Sequence, residues 1–117
     1  QGVVQERATA VVHTLSANAE LRDRLLAAGA VEELVPLLSK GVDAKGSLAL
    51  QASAAGALRN LAFDDEEAQQ KIADAGALPV LVSCLSQSGT DLQQHAAGAL
   101  MNLALRLENR AAIGAAG

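Results

Sequence analysis

Apolar positions in this chain come in blocks of helical length, and glycines stand where one block gives way to the next. Gly29, Gly76 and Gly117 each follow an Ala-rich apolar stretch, at the position past a helix C-terminus where left-handed backbone is needed. Asp64 with Glu67, and Thr90 with Gln93, have the spacing of a capping box ahead of an apolar run. These signals predict helices over residues 3–16, 18–28, 30–40, 48–63, 65–75, 77–87, 90–105 and 106–116. Pro79 falls in the first turn of its helix, where proline is tolerated. Pro36 falls deeper and is expected to kink its helix or to shorten it to a start near Glu33. Leu58, Leu61, Leu100 and Leu103 are the expected core.

The blocks repeat. Residues 54–62, Ala-Ala-Gly-Ala-Leu-Arg-Asn-Leu-Ala, return at 96–104 with only Arg59 exchanged, for Met101. A decayed copy lies at 8–16, with Thr14 where the two asparagines stand. A second block, Ile72-Ala-Asp-Ala-Gly-Ala in its middle copy, follows each first block, and its glycines are 47 and 41 residues apart. Most of the extra length is an insertion at 40–47, where Gly41 and Gly46 mark a loop. An all-helical period of this size is that of armadillo and HEAT units. Together with the Leu-Val-x-x-Leu of Leu34–Leu38 and Leu81–Leu85, these blocks make the chain resemble the armadillo-repeat family over nearly its whole length.

The resemblance implies an all-α fold, a right-handed α-solenoid of three-helix repeats. Residues 2–16 would be the third helix of a partial repeat, 18–63 and 64–105 two repeats, and 106–117 the first helix of another partial repeat. The chain reads as a segment of a longer array. Each unit leaves an apolar face for its neighbour to cover, and the small residues Ala54, Gly56, Ala57, Ala96, Gly98 and Ala99 are expected to let third helices lie close together.

Composition narrows the function. Half of the chain is apolar, with one Phe and no Trp or Tyr, which disfavours a sheet and excludes a reader that stacks bases on aromatics. A net charge of −4 argues against binding nucleic-acid phosphates. Cys84 is alone, so neither an intramolecular disulfide nor a cysteine-based metal site is available, which fits a reducing, intracellular and cytoplasmic setting. No apolar run approaches the roughly 20 residues of a membrane span. No catalytic constellation, phosphate-cradling glycine loop or metal motif appears; no enzyme activity, cofactor, metal or small-molecule substrate is expected. His13 and His95 lie far apart on third helices and are expected to face solvent or a groove. Asp64 to Glu67 reads as a helix start that offsets the dipole.

Asn60 and Asn102 stand mid-helix at the same motif position, although Asn is a mediocre helix former. With Leu58 and Leu61 turned to the core, Asn60 points elsewhere, along the row Ser53, Gly56, Asn60; the matching row is His95, Gly98, Asn102. A primary amide can bridge a peptide's N–H and C=O. In armadillo proteins such asparagines form a ladder on the concave surface that grips an extended ligand; the plainer alternative is a hydrogen bond to a neighbouring repeat's backbone. Asn60, Asn102, Arg59, Ser53, His95, Phe63 and Thr14 are the expected partner-binding residues. Importin-like members carry a Trp four residues before the Asn, where this chain has Gly56 and Gly98, so the groove resembles the catenin type, which takes extended acidic or apolar segments of a protein partner. The alternatives are the substrate-recognition part of an armadillo/U-box ubiquitin ligase and an architectural element of a large assembly.

Overall fold

The computed structural model describes residues 2–38, 47–86 and 90–116, and among them lie eight α-helices and no strand. They are α1 (Gly2–Leu15), α2 (Ala19–Ala27), α3 (Ala30–Leu38), α4 (Ser47–Leu61), α5 (Glu66–Asp74), α6 (Ala77–Cys84), α7 (Thr90–Leu103) and α8 (Leu107–Ala116). All eight expected helices are present. The loop expected around Gly41 and Gly46, and the helix end at Gly117, lie outside the described residues.

The glycine punctuation acts as its position requires. Gly29 and Gly76 both have φ of +88°, the left-handed backbone that turns a first helix into a second. Helix starts differ in detail from expectation. The cap of α5 is Asp65, not Asp64: its extended backbone lets the carboxylate accept from the Ala68 N–H at 3.1 Å. Asp64 instead takes a left-handed φ of 51° in the turn before it, a conformation Asp tolerates better than most residues. Asn18 caps α2 by accepting from the N–H groups of Glu20 and Leu21. Pro36 does not shorten α3, which starts at Ala30 and runs through it. Proline lacks the N–H that would meet the Glu32 carbonyl in the first turn, and both residues are exposed, so that carbonyl lies where solvent can reach it. Helix α6 ends at Cys84 rather than at 87, in a tight turn where the Leu85 N–H reaches Val82 O at 3.1 Å.

Helices α1, α4 and α7, the third helices, lie side by side with α4 in the middle. Second helices α3 and α6 pack against α4 and α7 respectively and against each other, while α8 closes on α6 and α7. The chain is thus an all-α solenoid of two three-helix units, α2–α4 and α5–α7, with one helix before them and one after. One core runs through it. Leu38, Leu58, Leu61, Ile72, Leu81, Leu92 and Leu103 are completely buried, and Leu100 nearly so; each large apolar side chain contributes about 1.5–3 kcal/mol by burial. Ala54, Ala57, Ala96 and Ala99 have no exposed surface and set the close approach of the third helices. Buried amides tie helix ends into the stack: Gln69 donates to Ala62 O at 2.9 Å, Gln51 to Leu38 O, and Asn109 to Leu103 O at 2.9 Å. Cys84 is a buried free thiol within this core, and burial pushes its pKa up. No helix among the described residues is long and apolar enough to cross a membrane.

Candidate functional site

The three third helices present equivalent residues at one level: His13, Arg59 and Met101 precede the Asn position, and Arg7, Ser53 and His95 stand seven residues before it. Side-by-side packing turns this register into contacts. The His13 imidazole lies over Gly56 of α4, where a Cβ would collide with it, and the Arg59 guanidinium lies over Gly98 of α7 in the same way. These glycines are therefore seats for a side chain from the preceding third helix. That corrects the expectation that they serve helix-on-helix closeness, which the fully buried alanines around them provide.

Seated on Gly56, His13 spans the middle helix and meets His95 of α7, ring to ring at 4.9 Å and 87°, edge to face. The two histidines, far apart in sequence, are partners. Burial lowers the pKa of each. For His95 the nearby His13 and Arg59 lower it further and Asp91 works against them. Its Nδ1 is buried with no hydrogen-bond partner among the described residues. Among those residues no three His, Cys, Asp or Glu side chains are grouped to hold a metal ion.

Both asparagines are half-buried and donate through Nδ2 to the C-terminal end of the preceding third helix or the turn that follows it. Asn102 Nδ2 donates to the Arg59 carbonyl at 2.8 Å. Asn60 Nδ2 donates to Ser16 Oγ at 3.0 Å, and Ser16 Oγ donates to the His13 carbonyl at 2.6 Å. His13 and Arg59 are equivalent, so the same helix-end carbonyl is served twice, once directly and once through a serine that stands where the later copy has Ala62. The Oδ1 atoms of both asparagines make no hydrogen bond among the described residues.

Arg22, on α2, completes the surface and was not singled out by its sequence context. Its Nη1 donates to the Asn60 carbonyl at 3.1 Å, and its guanidinium lies 5.6 Å from the centre of the Phe63 ring, a cation–π contact. The repeat alignment offers only a faint signal: Gln69 and Arg110 occupy the same first-helix position, but they bond back to Ala62 O and Ala104 O of the preceding third helix.

Arg22, Arg59, Asn60, Phe63, His95 and Asn102, with Ala17, line one cleft of about 420 Å³. Five of the seven expected site residues come together there. Ser53 and Thr14 do not line it: Ser53 is half-buried on α4, and Thr14 is exposed with its hydroxyl donating to Ala10 O of its own helix at 3.0 Å. Among the described residues no carboxylate lines the cleft, whereas Asp23, Asp65, Glu67 and Asp74 line a separate one between α2 and α5.

Comparison with known proteins agrees with this architecture. The chain is 33% identical to Protein CELLULOSE SYNTHASE INTERACTIVE 3 of Arabidopsis thaliana over 89 residues, 68% of this chain and 4% of that protein. It is 44% identical to U-box domain-containing protein 13 of the same plant over 55 residues, 47% of this chain and 8% of that protein. The chain therefore spans only a small part of these relatives' length. Among solved structures, a designed armadillo repeat protein in complex with the peptide (KR)4 superposes with a TM-score of 0.82 at 28% identity, covering 96% of this chain and 46% of that one. The Armadillo/beta-catenin-like repeat family matches residues 18–63 and 65–105, and the chain belongs to it.

Proposed function

We propose that the surface formed by α1, α4 and α7 binds an extended, acidic or apolar segment of a partner protein, with Asn60 and Asn102 as successive rungs. The observation that carries this reading is the pair of half-buried amides in one cleft whose N–H ends are occupied by the scaffold while their Oδ1 atoms are not. Held by the preceding helix, each amide is fixed in orientation and offers an acceptor to a ligand N–H. Such contacts supply affinity and register; Arg59, His95 and Phe63, with Arg22, supply selectivity. Ser53 and Thr14 are kept only as contacts for a segment that extends beyond the cleft. Designed armadillo proteins that bind peptides make the mode physically reasonable.

A library of random linear peptides, selected on the protein and counter-selected on the Asn60→Ala, Asn102→Ala variant, tests the proposal. Peptides that bind the parent and lose about five- to tenfold on the double variant support it, as expected for two hydrogen-bonding groups. Peptides that bind both equally remove the ladder. The identity to U-box protein 13 favours a second reading, in which this segment selects substrates for a ubiquitin ligase whose chemistry resides in another domain. Ubiquitin transfer by the natural protein, impaired by the same two substitutions, would establish it.

A further inference from the structure

We infer that the cleft between Arg22 and Arg59 is a subsite for an anionic side chain of the bound segment, a carboxylate or a phosphoryl group. The inference rests on the reading of this surface as a segment-binding groove and adds the chemistry of one of its pockets.

Two guanidinium groups from different helices line this cleft in a chain whose net charge is −4. Neither is paired with a carboxylate among the described residues. The ion pair among the described residues joins Arg106 and Glu108, away from the cleft. Arg59 lies over Gly98 and its guanidinium makes no hydrogen bond among the described residues. Its N–H groups are thus positioned by packing and unused. Arg22 spends one N–H on the Asn60 carbonyl and is held against Phe63, and its remaining N–H groups have no hydrogen-bond partner among the described residues. A planar guanidinium held in place is suited to two-pronged contact with a carboxylate or phosphate. Asp91, on α7, acts on His95 but does not line the cleft, and Asp23, Asp65, Glu67 and Asp74 line a different one. His95 beside Arg59 feels its positive charge, so an anion bound there relieves that repulsion and gives a spectroscopic reporter. Phe63, 59% exposed at the rim, offers an apolar surface to the residue next to the anion.

Inorganic phosphate, titrated into ¹⁵N-labelled protein at constant ionic strength, is the direct test. The Nε–H resonances of Arg22 and Arg59 should move together to saturation, with the exposed Arg7 and Arg24 as controls, and the His95 imidazole should titrate at higher pH with phosphate present. Arg59→Gln should abolish the response at Arg22, and Arg22→Lys, which keeps the charge but not the fork, should weaken it. A uniform drift of all four arginines, or no movement, overturns the subsite. Peptides selected on the protein then separate the sources. A central Glu or phosphoserine exchanged for Gln or Ser should cost about tenfold on the parent and little on Arg59→Gln. The larger of the two losses tells carboxylate from phosphoryl preference. Should phosphate fail while selected peptides still depend on Asn60 and Asn102, the groove stands and the anionic subsite falls. Should peptides bind without those asparagines while phosphate saturates both arginines, the groove reading falls and the anion site stands.

Discussion

The imidazoles of His13 and His95 meet edge to face at 4.9 Å although their helices are separated by a third, α4. They can do so because α4 carries glycine at position 56, directly beneath His13. The contact clips the first third helix to the last across the middle one, and Arg59 on Gly98 repeats the same seating one unit further on. Side chains of the inner surface are thus fixed by the stack before any ligand arrives, which reduces the ordering cost of binding.

The seat at Gly56 predicts a reversal of sign. Glycine within a helix costs about 0.5–1 kcal/mol relative to alanine, so Gly56→Ala should stabilise a His13→Ala background by that amount. With His13 present the new Cβ displaces the imidazole, and the same substitution should be neutral or destabilising. Urea denaturation of the four proteins measures the coupling; additivity would mean that His13 does not occupy the seat.

Stability should fall on mild acidification. The unfolded chain's histidines protonate near the ordinary 6.5, whereas folded His13 and His95 resist protonation because of burial and, for His95, the charges of His13 and Arg59, with Asp91 opposing. The unfolded state then binds more protons. The histidine contribution is fully present above about pH 6.5 and is lost progressively as pH drops below it toward the lowered folded values. Thermal melts between pH 7.5 and 5, compared with a His13→Gln, His95→Gln variant, should show a pH-dependent loss that the variant lacks.

Core and surface leucine-sized residues should separate sharply. Leu58→Ala empties a completely buried site and should cost about 2–5 kcal/mol. Met101→Ala, at a residue 72% exposed, should stay within about 0.5 kcal/mol of the parent. Equal effects in chemical denaturation would contradict the helix phase described above.

Asn102→Ala removes a direct bond to the Arg59 carbonyl, and Asn60→Ala one that runs through Ser16. Each should lower stability by about 0.5–1.5 kcal/mol while leaving the circular dichroism spectrum unchanged. Ser16→Ala should reproduce the Asn60 effect in part. An unfolded double variant would assign the asparagines a mainly structural role.

Cys84 should be inert in the folded protein. Its thiol is buried, and burial disfavours the thiolate. A thiol-specific chromogenic reagent should react fully in denaturant and, under native conditions, only at the rate at which the stack opens. Immediate reaction would place Cys84 at the surface.

Several features of this protein are legible in the chain alone because they depend on neighbours a few residues away. Ala and Leu at helical spacing, the left-handed glycines 29 and 76, and the duplicated Ala-Ala-Gly-Ala-Leu-x-Asn-Leu-Ala identify eight helices, their grouping into armadillo units, and the buried leucines 58, 61, 100 and 103. Small local energies were less legible: the cap at Asp65 rather than Asp64, and the passage of α3 through Pro36, each hang on a choice between nearly equivalent backbone arrangements. The inner surface belongs to the tertiary structure. Which side chain sits over Gly56 or Gly98, that His13 reaches His95, that Arg22 leaves a first helix to join Asn60 and Phe63, and that Ser53 and Thr14 stay out of the cleft are all set by the offset between stacked helices. A repeat motif specifies which residues turn away from the core. Only the packing of one helix against the next, a matter of buried shape rather than of sequence spacing, decides which of those residues meet.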